Sequence, residues 1–71
     1  MKYTKEEMDV IAERIVELLN EKEEMRLGKI AKVLIHSGLV ESSYEVDKVL
    51  KYRKDLFVSP KMGIWTLSET E

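Results

Sequence analysis

The spacing of apolar residues changes along this chain, and the change restricts the fold more than any other feature. From Met8 to Leu19 apolar residues recur every three or four positions, the spacing of one face of an α-helix. Residues 56–58 and 64–67 are instead short β-prone runs on either side of a loop, a pattern typical of a hairpin. The sequence therefore predicts an α+β fold in which helices precede a C-terminal β-hairpin.

The first helix has clear start signals. Thr4 and Glu7 have the capping-box spacing, and Tyr3 and Met8 have the spacing of a hydrophobic staple. Acidic residues occupy the side of the helix opposite its apolar face. We expect helix 1 to run from just after Thr4 to about Lys22, with the acidic side towards solvent.

Two further helices are predicted from their own boundary signals. Gly38 followed by Leu39 has the form of a left-handed helix stop with a hydrophobic contact, so helix 2 should span about 28–37. Ser42 and Glu45 repeat the capping-box spacing. Helix 3 should therefore start there, after a few turn residues.

Helix 3 is predicted to have one buried side and one cationic side. At about 100° per residue, the buried stripe consists of Val46, Val49 and Leu50. The opposite side carries positive charge and consists of Tyr44, Lys48, Lys51 and Asp55.

The hairpin is expected to close the core. Successive side chains of a strand point to opposite faces, so Trp65 and Leu67 share one face. We expect both, together with Phe57, to face the helices. Residues 25–27 alternate over a few positions, as a very short strand does before a helix. Residues 68–71 are expected to form a frayed polar tail.

Length and composition exclude several classes of protein. Seventy-one residues suffice for a single domain, predicted over 1–71 with an ordered core at about 4–68. The chain has no Cys and one His, which excludes a disulfide framework and gives no basis for a metal or a cofactor. Its apolar runs are far shorter than the roughly 20 residues of a membrane span, and no secretory segment follows Met1. We expect a cytoplasmic domain without membrane association.

The charges of the chain are unevenly distributed. The net charge is −2, which argues against a strong non-specific nucleic-acid binder. Residues 1–24 nevertheless hold four basic and eight acidic side chains, whereas residues 48–61 hold five basic side chains and one acidic. The third helix and the hairpin are therefore the positive part of the chain.

The predicted order of elements resembles a winged helix-turn-helix over about residues 4–68. The features that carry the resemblance are Gly38-Leu39 in the turn, the basic third helix, and Phe57 followed by the run Gly63-Ile64-Trp65-Thr66-Leu67. Within that group the hairpin pattern is most similar to the HARE-HTH branch. The resemblance implies a third helix in the major groove, a hairpin wing on the backbone or minor groove, and a second helix across the phosphates.

Nine residues are candidates for contact with DNA. Lys can bond guanine edges or phosphates, and Tyr can bond phosphate or pack on sugars. The candidates are Ser43, Tyr44, Asp47, Lys48, Lys51 and Tyr52 on helix 3, Lys61 at the wing tip, and Lys29 and Lys32 on helix 2.

Each candidate also has a purely structural interpretation. The charges of helix 3 and helix 2 are equally typical of a solvated surface. Ser42 and Ser43 are more often helix caps than phosphate ligands. Trp65 could stack on a base, but a lone Trp beside Phe57 is more often part of the core. No Cys nucleophile, phosphate loop or Ser-His-acid set is present, so neither an enzymatic activity nor a small-molecule substrate is expected.

Two functions remain open. The first is a duplex DNA-binding protein, such as a small transcriptional regulator, which could gain affinity as a homodimer through the apolar stripe of helix 1 and Val10. The second is a protein-interaction module that docks on RNA polymerase or a nuclease complex. The acidic first helix and a pI near 5.5 favour the second.

Overall fold

Helix α1 spans Lys5–Lys22 in the computed structural model, which describes residues 3–68 of the chain. Its capping box forms as predicted, because the Glu7 N–H donates to Thr4 Oγ1 at 3.1 Å and the Thr4 N–H donates to Glu7 Oε1 at 2.9 Å. Tyr3 is half-buried against the core, as expected of a hydrophobic staple. The start of α1 is therefore set by residues within one turn of it.

A single residue connects α1 to the first strand. Glu23 has a φ of +71°, which residues other than glycine seldom adopt, and its N–H donates to the Leu19 carbonyl at 2.8 Å. Strand β1 follows at Glu24–Arg26 and continues without a loop into α2 at Leu27–His36. The strand predicted at 25–27 is thus present, one residue earlier.

Helix α2 ends as the sequence predicts. Gly38 has a φ of +83°, in the left-handed region that favours glycine. The Leu39 N–H donates to the Leu34 carbonyl at 3.0 Å, and the Gly38 N–H donates to the Ile35 carbonyl at 3.1 Å. These two bonds form a Schellman motif, and the half-buried Leu39 packs against the core.

Helix α3 spans Ser43–Tyr52. The Glu45 carboxylate accepts hydrogen bonds from the Ser42 N–H at 3.1 Å and the Glu41 N–H at 2.8 Å, which forms its half of the predicted capping box. The prediction that Asp55 shares the outer face of this helix is wrong. The helix ends before that position, because the chain turns there to enter the next strand.

The C-terminal hairpin is present, and it belongs to a larger sheet. Strands β2 at Phe57–Lys61 and β3 at Ile64–Leu67 pair antiparallel. Among the described residues the sheet has three strands, with β3 between β1 and β2. An irregularity in register between Val58 and Lys61 places an extra residue in β2, as in a β-bulge.

One cluster of apolar side chains joins the helices to the sheet. Phe57 is buried, and Trp65 and Leu67 are half-buried against the same cluster, so these residues face the helices as predicted. No polar or charged residue is buried within residues 3–68. The buried residues are Met8, Ile11, Ala12, Ile15, Leu18, Leu19, Ile30, Ala31, Leu34, Val40, Val46, Val49, Leu50 and Phe57.

This core also uses the apolar stripe of α1. The stripe is covered by the other elements of the same chain, whereas Val10, off the stripe, is 52% exposed and Val16 is half-buried. A homodimer through α1 would therefore have to rely on Val10 and on Val16, the part of the stripe that is only half-buried.

The last described residue is tied to the sheet. The Ser68 N–H donates to the Leu56 carbonyl at 2.7 Å, so the prediction that the frayed tail begins at Ser68 is wrong. The rest of the predicted tail, residues 69–71, lies outside the described residues.

The chain is small and compact. Its radius of gyration is 11.0 Å, close to the value of about 11 Å expected for a folded chain of this length. None of the helices in the described part has the length and apolar character required to cross a membrane.

Candidate nucleic-acid interface

The outer face of α3 carries two side-chain pairs. Lys48 Nζ lies 5.2 Å from the centroid of the Tyr44 ring, and Lys51 Nζ lies 3.1 Å from Asp47 Oδ2. Both pairs have the i,i+4 spacing that brings side chains together on one face of a helix. Tyr44 and Tyr52 are also exposed here, at 64% and 41%. The structure therefore places the α3 residues that the sequence predicted on the outer side of the helix, with Ser43 exposed one turn before Asp47.

The two pairs differ in the charge that they leave to solvent. Lys51 is largely neutralised by Asp47, whose side chain is only 30% exposed. Lys48 contacts an aromatic face instead of a carboxylate, so it keeps its full charge. Lys48 is exposed beside the Tyr44 ring and is therefore the stronger cationic group of the two.

Arg53 does not belong to this cationic face. Its guanidinium donates to both carboxylate oxygens of Asp55 at 3.1 Å and to Asp9 Oδ1 at 3.0 Å. The hydrogen bonds with Asp55 raise the pKa of Arg53 and hold the pKa of Asp55 below its usual value. Asp9 therefore offsets part of the positive charge of residues 48–61. A count of charges along this segment does not include Asp9, because Asp9 is remote in sequence.

The N-terminus of α3 is occupied by a carboxylate. Ser43 is exposed, but the nearby N–H groups of Glu41 and Ser42 donate to Glu45. A phosphate at this position would meet the negative charge of Glu45. The geometry favours the capping interpretation over a phosphate site at Ser42 and Ser43.

A second cationic group lies beside the hairpin tip. Arg26 on β1 and Lys61 on β2 both pair with Ile64 on the central strand β3. Directly paired residues point to the same face of a sheet, so these three side chains form one row across it. The neighbouring residue Trp65 faces the core, and the row therefore faces outward. The Leu27 N–H donates to the Gly63 carbonyl at 2.8 Å, which fixes the tip against the start of α2.

Arg26 was missed by the sequence analysis. Residues 25–27 indicated a strand, but the partner of a three-residue strand cannot be read from its own residues. Only the pairing of β1 with β3 places Arg26 level with Lys61. No local signal at Arg26 could have shown this.

Lys29 and Lys32 lie on the exposed side of α2. Their spacing of three residues places them on one face of the helix, and Lys29 is in the first turn, near the hairpin tip. Lys32 borders a shallow apolar depression with Val33, His36 and Ser37. Neither lysine forms an ion pair with another residue of the described part of the chain.

Comparisons of the chain with protein-family models, with curated proteins and with solved structures found no match. Residues 3–68 form a small α+β domain of three helices and a three-stranded antiparallel sheet, with cationic groups on the outer face of α3 and at the hairpin tip.

Proposed function

We propose that this chain is a winged helix-turn-helix domain of the HARE-HTH type that binds duplex DNA. In this proposal α3 enters the major groove, the β2–β3 hairpin is the wing, and α2 crosses the backbone. The order of helices and strands supports it, and so does the outward placement of the predicted side chains on α3. The domain would act in the cytoplasm as a small regulator of transcription.

The observation that carries the proposal is the contact between Lys48 and Tyr44. An exposed lysine held by an aromatic ring presents a donor at a defined position on the helix, where it can reach a base edge or a phosphate. Tyr44 can add a hydroxyl to a phosphate or pack on a sugar. Lys51, held by Asp47, has a similar fixed position.

The second cationic group adds backbone contacts in this proposal. Arg26, Lys29 and Lys61 lie close to the hairpin tip and the start of α2, where phosphates beside the reading helix would pass. About four phosphate contacts would make the affinity fall about 100-fold between 50 and 200 mM salt.

The test is a fluorescence anisotropy titration of random duplex DNA at about 50 and 200 mM salt. We expect micromolar binding that weakens steeply with salt. The double variant Lys48→Glu with Lys51→Glu should abolish binding, since it reverses the charge of the reading face. Its free energy of unfolding should fall by less than about 1 kcal/mol, because both side chains are exposed.

A charge-matched variant serves as the control. Lys5→Glu with Lys22→Glu changes the net charge equally but alters the two ends of α1, so binding should persist. Loss of binding in both variants would show a general charge effect. A large destabilisation by the Lys48 and Lys51 substitutions would contradict the assigned face, and no binding at low salt would contradict the proposal.

The alternative is docking on RNA polymerase or a nuclease complex. It is favoured by the exposed acidic side of α1, where Glu13, Glu17 and Glu21 face solvent, and by the partial neutralisation of α3 through Asp47. A pull-down in which capture of such a complex depends on Lys48 and Lys51, with no DNA bound, would favour this function.

A further inference from the structure

The tip of the hairpin presents an apolar side chain entirely to solvent. Met62 is 100% exposed, whereas the other large apolar residues that are exposed in the described part are at most 64% exposed. A fully exposed methionine contributes nothing to the core, and its apolar surface stays in contact with water. The folded domain gives no packing reason for an apolar side chain here.

The tip that carries Met62 is held in place. Gly63 supplies the left-handed turn with a φ of +81°, and its carbonyl accepts the Leu27 N–H at 2.8 Å. The Ser59 hydroxyl lies 2.6 Å from the Lys61 carbonyl and 2.8 Å from the Ile64 carbonyl, across the base of the turn. Hydrogen bonds therefore hold the turn that carries Met62, and the backbone of the turn would lose little conformational freedom on binding.

Two cationic side chains lie in a row next to this turn. Arg26 and Lys61 flank Ile64 in one row across the three strands, so their backbones are about 10 Å apart. Neither forms an ion pair with another residue of 3–68. A fixed apolar tip next to a row that carries two cations is complementary to a nucleic-acid groove, whose floor is less charged than its phosphate rims.

We propose that Met62 is an apolar wedge that enters the minor groove and opens a base step, while Arg26 and Lys61 bind the phosphates on the two rims. This inference rests on the proposed DNA binding and adds its mode of wing contact. Insertion of a side chain between base pairs bends the duplex, and pyrimidine–purine steps such as TA open most easily. The domain therefore prefers duplexes with TA steps beneath the wing and bends them.

The test uses duplexes of about 20 base pairs with a fluorophore at each end, one rich in TA steps and one a stiff A-tract. Energy transfer between the ends measures bending, and anisotropy measures affinity. The wild-type chain should raise energy transfer in the TA duplex and bind it about tenfold more tightly than the A-tract. Met62→Ser should remove both effects and retain salt-dependent binding.

Two variants control for shape and for general loss of apolar surface. Met62→Leu keeps a wedge and should bend the TA duplex as the wild type does. Val58→Ser alters another exposed apolar residue of β2, away from the tip, and should also leave bending unchanged. Thermal denaturation should show that Met62→Ser folds normally, since Met62 is fully exposed.

The outcomes separate this inference from the function on which it rests. Binding without bending, or bending that persists in Met62→Ser, would overturn the wedge and leave DNA binding intact. Absence of binding to either duplex would overturn both. Bending lost in Met62→Ser and kept in Met62→Leu would support the wedge.

Discussion

Arg53 Nη1, at the C-terminal end of α3, lies 3.0 Å from Oδ1 of Asp9 on α1. These residues are 44 positions apart in sequence, so the contact ties the end of the proposed reading helix to the scaffold helix. The same guanidinium also binds Asp55 just after α3. Arg53 therefore has a structural role in positioning α3.

Asp9→Asn should lower the melting temperature by no more than a few degrees, because the ion pair is partly exposed. The loss should shrink at high salt, which screens the pair in the wild type. Thermal denaturation followed by circular dichroism at low and high salt measures both effects. Glu13→Gln, an exposed change on the same helix, is the control and should have little effect. A loss that did not depend on salt would contradict the electrostatic role of Asp9.

Gly38→Ala should lower the free energy of unfolding by about 1 kcal/mol, because an alanine side chain is strained at a φ of +83°. Steric overlap is not the cause, since no heavy atom beyond Gly38 and its two chain neighbours lies within 4 Å of the added Cβ. Gly28→Ala is the matched control, with the same open space but a helical backbone, and should raise stability by up to about 0.5 kcal/mol. Urea denaturation of both variants measures the difference. Equal effects of the two substitutions would show that the positive φ of Gly38 does not determine the loss of stability.

Glu23→Gly should raise the free energy of unfolding by about 1 kcal/mol. Glu23 has a φ of +71° with a side chain, and glycine removes that strain. Glu24→Gly, one residue later in β1, should have the opposite sign because glycine weakens a strand. Chemical denaturation of the two variants would decide. Destabilisation by Glu23→Gly would mean that the side chain contributes more than its strained backbone costs.

The stability of the fold should decrease at alkaline pH through Tyr3. Burial raises the pKa of Tyr3 above 10.0, and a hydrogen bond to the Glu45 carboxylate and the charges of Glu45 and Glu7 raise it further. The unfolded chain therefore releases this proton at a lower pH than the folded chain does. The contribution is complete below about pH 10 and is lost as the pH rises through the folded pKa.

Comparison of the wild type with Tyr3→Phe tests this pH dependence. The free energy of unfolding, measured from about pH 8 to pH 11, should fall more steeply with pH in the wild type. Tyr44→Phe is the matched control, because Tyr44 is exposed at the surface of α3. Equal slopes in the wild type and Tyr3→Phe would contradict the raised pKa of Tyr3.

Features that depend on near neighbours in sequence could be predicted from the sequence. The Thr4 capping box and the Gly38 stop involve bonds over a few residues, and the structure contains both. The alternation of side chains in the hairpin likewise predicted that Phe57, Trp65 and Leu67 face the helices, and all three pack in or against the core. In each case the residues that set the structure lie within one or two turns of it or within one hairpin.

Features that depend on distant partners were decided by the tertiary structure alone. The pairing of β1 with β3 placed Arg26 in line with Lys61, and the packing of α1 beside the end of α3 brought Asp9 to Arg53. Counts of charge along a segment could show neither arrangement, because the electrostatic potential at a surface depends on which charged side chains the fold brings together there. The sequence by itself determined the start of α1 and the stop signal of α2, since the hydrogen bonds that set those boundaries are local. Tertiary packing decided which charges remain exposed for a partner.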